Sequence, residues 1–269
     1  TALFQMGNPR GGMEQFELAL VRAPEFAPAH YSLGVVMLAT GRTAAAIEHL
    51  SAAVKSEPSY VDAHVRLADA LLAAGHPDTS LLEYQRALDI DSRGAEAQFG
   101  CAMALAALGR FVEARDRLAA GMEAHPEQPI FARTLPRLLA GAPDERVRDP
   151  QRALALMQQW AGPAPPDTAR DVGRDVGRDV ARDVARDVDR DEVMAMVLAA
   201  LGRFDDAVTW QRAALEVAGP AHDPARTTYL ARNLALYRRH LPSRTPWLAA
   251  PRYTDAAAPS AQDGRGPNG

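Results

Sequence analysis

One stretch of the chain, residues 27–60, returns in altered form every 34 residues, and this period constrains the fold more than any other feature of the sequence. Sliding the stretch by its own length aligns a recurring glycine together with recurring large, small and proline positions. The aligned sets are Gly41 with Gly7, Gly75 and Gly109; Leu33 with Leu67 and Cys101; Gly34 with Ala68 and Ala102; Ala46 with Gly12, Ser80 and Ala114; and Pro58 with Pro24, Ser92 and Pro126. A fixed self-similarity of this length predicts stacked helical hairpins.

The residue types at these positions give a physical reason for the hairpin. Small residues at Gly34 and Ala46 allow two antiparallel helices to approach closely, while Leu50 fills the space between them. Gly41 stands where the chain must turn after the first helix, and Pro58 ends the second helix. Because one hairpin cannot bury its own apolar face, we expect consecutive hairpins to stack.

The pattern resembles the tetratricopeptide repeat, which carries a Leu-Gly pair in its first helix, two alanines in its second helix and a closing proline. Here these are Leu33-Gly34, Ala46, Ala53 and Pro58. The resemblance implies an all-α solenoid of helix-turn-helix hairpins. Residues 1–160 are predicted to hold a half repeat, three regular repeats at 27–60, 61–94 and 95–128, and a degenerate fifth repeat.

The fifth repeat departs from the pattern in three ways. Pro136 falls inside its first helix, where it should kink the helix or free backbone groups. A longer loop at 142–149 precedes its second helix, and Asp149 followed by Pro150 predicts an N-cap and a first helical residue. After this helix, residues 161–187 are predicted to form a low-complexity insert of repeated Arg-Asp-Val units, either a marginally stable helix or a linker.

The period returns at the C-terminal end. Residues 188–242 are predicted to form a sixth repeat and a capping helix, and residues 243–269 a disordered tail. The loop at 142–149 and the segment 233–247 are together similar to the C-terminal repeat region of larger bacterial tetratricopeptide repeat proteins.

Composition excludes several classes of partner. The net charge is −4 and the pI about 6.0, which gives no electrostatic reason to expect nucleic acid. No apolar run approaches the roughly 20 residues needed to cross a bilayer, so we expect no membrane insertion. Cys101 is the single cysteine and is expected to be a small buried hydrophobe. The composition is equally compatible with the bacterial cytoplasm and with the periplasm.

Motifs that carry chemistry are not found in the sequence. It contains no nucleotide-binding loop, zinc-protease motif or nucleophile elbow, and its paired acids lie in predicted surface segments. We therefore predict no catalytic residue, no cofactor and no metal. One alternative is a metal site between His30 and His64, which share repeat position four, although two ligands alone leave a zinc ion incompletely coordinated.

In tetratricopeptide repeats the first helices line a binding groove, and the resemblance assigns groove residues by repeat position. The predicted set is Tyr31, Val35, Leu38, Val65, Arg66, Asp69, Leu72, Phe99 and Met103, with Glu96 beside it. Chaperone-binding members hold a terminal carboxylate with Lys, Asn and Arg, whereas this chain has Tyr31, Val35, Glu96 and Gly100 at those places. An apolar segment of a protein or peptide is the expected ligand.

Two hypotheses of different class follow. The first is a non-enzymatic scaffold that binds proteins or peptides through the groove. The alternative is an accessory interaction segment of a larger bacterial enzyme or carrier whose catalytic part lies upstream of Thr1. The apolar residues Leu3, Phe4, Phe16 and Leu20 are expected to lie at an uncovered edge. Further chain, a partner or self-association would cover that edge.

Overall fold

The computed structural model describes residues 9–161, 188–218 and 224–246, and within these ranges the chain is helical and contains no strand. The described helices, in chain order, are α1 (Pro9–Arg22), α2 (Ala27–Ala39), α3 (Thr43–Ser56), α4 (Val61–Ala73), α5 (Pro77–Ile90), α6 (Ala95–Ala107), α7 (Phe111–Ala124), α8 (Pro129–Gly141), α9 (Pro150–Ala161), α10 (Val188–Ala200), α11 (Phe204–Ala218) and α12 (Pro224–Tyr237). The all-α solenoid class predicted from the period is confirmed.

The chain forms two compact units, which divide between Arg117 and Leu118. The described part of the first unit covers residues 9–117, and that of the second begins at 118. The predicted domain boundaries stay predictions, and the predicted insert at 161–187 lies outside the described residues except for Ala161 at the end of α9.

The contact between α2 and α3 shows why small residues recur. A Cβ atom added to Gly34 would lie 2.5 Å from Cγ of Leu50 and 3.3 Å from the backbone oxygen of Ala46. Leu50 and Ala46 are themselves fully buried. A side chain at Gly34 would displace the buried Leu50 side chain, so the predicted close approach of the two helices is confirmed.

The recurring glycines end the first helix of each repeat in the left-handed region. Gly41, Gly75, Gly109 and Gly202 have φ values of 75°, 81°, 75° and 78°. In each case the following residue donates its N–H to a carbonyl five residues earlier, as Arg42 does to Met37 at 2.8 Å. This is the Schellman arrangement, which strongly favours glycine, so the predicted turns are confirmed.

Stacking of hairpins builds the core of the first unit. Helices α2 and α4 are in contact, as are α4 and α6, so first helices of consecutive repeats are neighbours. Met37, Leu50 and Leu67 lie in one buried cluster that joins two repeats. Cys101 is fully buried, and burial raises the pKa of its thiol to about 11. The prediction of a buried cysteine is confirmed.

The second unit begins with the degenerate repeat. Helix α8 continues through Pro136 and ends at Gly141, although proline has no N–H to bond the carbonyl of Ala132. The predicted N-cap is confirmed, because Oδ1 of Asp149 accepts the backbone N–H of Arg152 at 2.9 Å.

The sixth repeat and the last helix complete the second unit. Ala195, Ala207 and Ala214 are fully buried at their predicted repeat positions. Tyr229 and Leu230 of α12 pack in one cluster with Ala214 and so cover α11, as a terminal cap must.

The packed chain extends beyond α12 into the segment predicted to be a disordered tail. Ser243 is buried, and the Tyr229 hydroxyl donates a hydrogen bond to the backbone oxygen of Thr245 at 2.8 Å. Pro246 lies against Gly141, with 3.3 Å between its Cα and a Cβ added to that glycine. The rest of the predicted tail, from 247, lies outside the described residues.

Candidate functional site

The nine residues predicted to line the groove lie on α2, α4 and α6 of the first unit, and we call them the first-helix surface. Six of them are half-buried: Tyr31, Val35, Leu38, Arg66, Asp69 and Leu72. Val65, Phe99 and Met103 are buried, with exposed fractions of 4%, 1% and 1%. The apolar side chains that a ligand can reach on this surface are therefore those of Tyr31, Val35, Leu38 and Leu72.

Arg66 is the centre of a polar network on this surface. Its Nη1 donates to Oδ2 of Asp69 at 2.7 Å, one turn away on the same helix. Its Nη2 donates to Oε1 of Glu96 at 2.5 Å, on the first helix of the next repeat. The hydroxyl of Tyr84 donates to Oδ1 of Asp69 at 2.6 Å. The network thus links the first helices of two repeats to α5.

The electrostatics of the network follow from partial burial and the pairing of charges. Burial opposes the charged form of Arg66, yet Asp69 and Glu96 outweigh it and raise its pKa. Burial raises the pKa of Glu96, and the charge of Arg66 offsets part of this effect. One positive and two negative side chains leave Arg66, Asp69 and Glu96 with a net charge of −1 when all are ionised.

Two tyrosines lie next to this network, and one of them, Tyr31, is hydrogen-bonded to Arg66. The rings of Tyr31 and Tyr60 are tilted against each other, with 5.0 Å between their centroids. Tyr31 and Leu38 also pack against the buried cluster that contains Met37. Burial raises the pKa of Tyr31, and a side-chain hydrogen bond with Arg66 acts in the opposite direction, so the tyrosine oxygen accepts from the guanidinium.

Tyr84 is not among the predicted site residues, although the sequence carries a signal for it. Tyr84 occupies the repeat position of Leu50, and Gly100 stands opposite it on α6. A Cβ added to Gly100 would lie 2.2 Å from two atoms of the Tyr84 ring. The signal has two parts: a tyrosine in place of leucine, and a glycine on the facing helix. Together they indicate a ring that crosses the helix contact and directs its hydroxyl at a polar group.

The second helices carry a depression that was not predicted. It lies between α3 and α5 and is lined by Val54, Lys55, Pro58, His64, Arg86, Asp89 and Ile90. Ile90 is 44% exposed, which is high for a large aliphatic residue. The depression is open and mixed in polarity, and no set of side chains in it converges on one point.

The two histidines considered as metal ligands each contact a different partner. Nδ1 of His30 lies 3.0 Å from Nδ1 of His49, and Nδ1 of His64 lies 2.7 Å from Oε2 of Glu83. Both pairs join the two helices of one hairpin. No group of three or more His, Cys, Asp or Glu side chains in the described ranges is placed to hold a metal ion.

Comparison with protein families agrees with the repeat geometry. Tetratricopeptide repeat models match residues 37–91, residues 1–61 and 65–129, and residues 191–213. The matched segments cover the regular hairpins of the first unit and the sixth repeat of the second. The chain is a tetratricopeptide repeat protein. Proteins of this family generally act as protein-interaction scaffolds and not as catalysts.

Solved structures of the same fold are similar over most of this tetratricopeptide repeat chain. Pseudomonas aeruginosa PilF is 22% identical with a TM-score of 0.55, over 80% of this chain and 85% of that one. TTC0263 of Thermus thermophilus is 19% identical with a TM-score of 0.55, over 79% of this chain and 99% of that one.

YrrB, described as a tetratricopeptide repeat protein with an unusual peptide-binding site, is 14% identical with a TM-score of 0.55, over 85% of this chain and 100% of that one. At these identities the likeness shows the fold alone. Among curated proteins no sequence matches the chain. No helix in the described part of the chain is long and apolar enough to cross a membrane.

Proposed function

We propose that this tetratricopeptide repeat protein is a non-enzymatic scaffold that binds an apolar protein or peptide segment through its first-helix surface. The observation that carries the proposal is a set of half-buried apolar side chains on two neighbouring first helices: Tyr31, Val35 and Leu38 on α2, and Leu72 on α4 at the position equivalent to Leu38. Because α2 and α4 are in contact, these side chains form one continuous surface within the first unit. Half-buried aromatic and aliphatic side chains of this kind are suitable anchors for a ligand.

The polar network beside these side chains narrows the chemistry of the ligand. Arg66 is already matched by the carboxylates of Asp69 and Glu96, so the network leaves no unbalanced positive charge for a terminal carboxylate. Its net negative charge would repel an anionic group and attract a cationic one. We therefore expect an apolar segment, neutral or with a basic residue beside its anchors, and not an acidic C-terminus.

The fold comparison supports a peptide as the ligand class. YrrB, which shares the fold, is described as having an unusual peptide-binding site. The groove of this chain also departs from the carboxylate-binding pattern, with Tyr31 and Val35 in place of polar ligands. A surface of neighbouring helices binds through side chains, and either an extended or a helical apolar segment can lie along it.

A random 16-residue peptide library displayed on phage tests the proposal. The full chain serves as bait, and fluorescence polarisation then measures the binding of enriched peptides to wild type and to Tyr31→Ala/Leu72→Ala. We expect apolar peptides without a C-terminal carboxylate requirement, bound about tenfold or more weakly by the variant. Leu82→Ala, an exposed residue on α5 with 53% exposure, is the matched control and should bind like wild type. Equal binding by the groove variant would exclude this surface.

Self-association is a second proposed interaction of the first unit. Phe16 and Leu20 are partly buried on α1, and Leu3 and Phe4 lie outside the described residues. Leu18, Val21 and Phe26 are nevertheless 55%, 79% and 48% exposed. Such neighbouring apolar side chains are suited to contact with another chain. Sedimentation velocity at several concentrations should show association that Leu18→Lys/Val21→Lys reduces. A concentration-independent monomer would contradict the proposal.

A further inference from the structure

A recurring hydrogen bond orients the side chain at repeat position four. Nε2 of His30 lies 2.9 Å from the backbone oxygen of Pro24, and Nε2 of His64 lies 3.0 Å from that of Pro58. In the next repeat the side-chain amide of Gln98 donates to the backbone oxygen of Ser92 at 3.1 Å. A carbonyl only accepts, so Nε2 of His30 carries a proton. In the neutral ring, Nδ1 of His30 then has a lone pair.

The side chain that faces Nδ1 of the position-four histidine differs between the second and the third repeat. In the third repeat Nδ1 of His64 meets the carboxylate of Glu83 at 2.7 Å, which completes a buried pair. In the second repeat the residue equivalent to Glu83 is His49, and Nδ1 of His30 meets Nδ1 of His49 at 3.0 Å. Two ring nitrogens that face each other can share one proton at most, or can both direct lone pairs at a cation.

The distance between the two nitrogens suits a shared metal ion. Bonds of about 2.0–2.1 Å from one ion to two imidazoles place the nitrogens about 2.9–3.4 Å apart for angles between square-planar and tetrahedral values. The observed separation of 3.0 Å, at which the two rings share one hydrogen bond in the metal-free chain, lies within this range. The bond from Nε2 of His30 to Pro24 is the outer contact that metal-bound histidines usually make, which fixes the tautomer and the ring orientation.

A metal ion binds the neutral form of an imidazole, and the ion must reach that ring from solvent. His49 is half-buried, so its ring is close to solvent from which an ion can enter.

We propose that His30 and His49 form a two-imidazole binding site for a divalent late transition-metal ion, with Cu²⁺ preferred over Zn²⁺. Imidazole nitrogens suit both ions, and Cu²⁺ binds a given set of nitrogen ligands more tightly. The two rings supply two donors, so water or a group from a bound partner completes the coordination. The site is independent of the first-helix surface, because it lies between the two helices of one hairpin.

Titration of the full chain with Cu²⁺ at pH 7.5, followed by electron paramagnetic resonance, tests the site. We expect one tight equivalent whose spectrum shows coupling to two imidazole nitrogens. His49→Ala removes a ligand but keeps the bond from His30 to Pro24, and should weaken copper binding by about tenfold or more. His76→Ala, which alters an exposed histidine elsewhere in the unit, should leave the spectrum unchanged.

The neighbouring repeat offers a gain-of-function variant. Glu83→His places an imidazole opposite His64, in the arrangement that His49 has opposite His30. We expect a second copper equivalent in this variant, and a copper-dependent rise in Tm in wild type that His49→Ala lacks. Equal copper affinity in wild type and folded His49→Ala, or a spectrum with only one coupled nitrogen, would overturn the proposal. Circular dichroism of each variant shows whether it is folded.

Discussion

Arg66 in the first unit and Glu192 in the second are both shared between two oppositely charged partners, but their environments differ. The side chain of Arg66 keeps 21% of its exposure beside Asp69 and Glu96. The side chain of Glu192 keeps 2%, and Arg137 and Arg226 approach it at 2.9 and 3.3 Å. The Arg66 cluster is partly exposed and stays within reach of a ligand, whereas the Glu192 carboxylate is enclosed, although its partner Arg226 keeps 31% of its side-chain exposure.

The difference relates to how regular each unit is. In the first unit the period places small residues at each helix contact, and polar groups stay near the surface. In the second unit the repeats are less regular, and Arg137 of α8 and Arg226 of α12 both reach α10, where Glu192 lies. We infer that the buried ion pairs help to define how these helices pack, since each unpaired alternative would leave a charge in the interior.

The largest effect on stability is expected when the ion-pair cluster around Glu192 is disrupted. Glu192→Gln removes one of the two carboxylates that contact both Arg137 and Arg226, since Asp189 also lies against both, and we expect a loss of about 1.5–3 kcal/mol in the free energy of unfolding. Urea unfolding followed by circular dichroism measures this loss. Glu96→Gln, in the Arg66 cluster, should lower the free energy of unfolding by only about 1 kcal/mol. Equal losses would show that the two clusters do not differ in the way described.

The next effect tests close packing, which both units share. Gly100→Ala in the first unit and Gly121→Ala in the second would each place Cβ 2.2 Å from a ring, that of Tyr84 or of Phe131. We expect each to lower the unfolding free energy by about 1–3 kcal/mol, measured by urea unfolding. Gly94→Ala is the control, because its nearest neighbour would lie at 3.4 Å. A stable Gly100→Ala would mean that the Tyr84 ring can move freely.

A smaller effect concerns pH and is confined to the first unit. Burial lowers the pKa of His49 in the folded chain, so the unfolded chain binds more protons near the ordinary value of about 6.5. Stability should therefore fall as pH drops through about 6.5, and level off below the folded pKa. Thermal unfolding of wild type and His49→Ala across this range isolates the contribution. Parallel pH profiles for both proteins would contradict it.

The smallest effect is expected where the units are most alike. Arg110 pairs with Glu113 after Gly109, and Arg203 pairs with Asp206 after Gly202, at the same repeat position and with all four side chains near half exposure. Glu113→Ala and Asp206→Ala should each leave the urea midpoint unchanged, because solvent and salt screen exposed pairs. A clear shift in one unit alone would show that its helix start is less exposed to solvent than the other.

Much of the helical framework was predictable because it depends on residue size and backbone conformation at recurring positions. Gly34, Ala46 and Gly41 were recognised from the period, and each has the predicted packing or turn in the structure. The location of the first-helix surface also follows from repeat position. The burial of Phe99 and Met103 does not, since repeat position alone does not say how deeply a side chain is covered.

The sequence by itself determined the repeat fold and the turns, because each of these depends on local periodicity, and it was enough to propose which first-helix residues bind a ligand. Tertiary structure decided which polar side chains meet. His30 contacts His49 and not His64, Tyr84 reaches Asp69, and Glu192 is enclosed between arginines from distant helices. Each of these contacts depends on the rotation of two helices about their axes and on the distance between them. Both are fixed only when the helices pack, so the residue that a side chain reaches is decided at that stage.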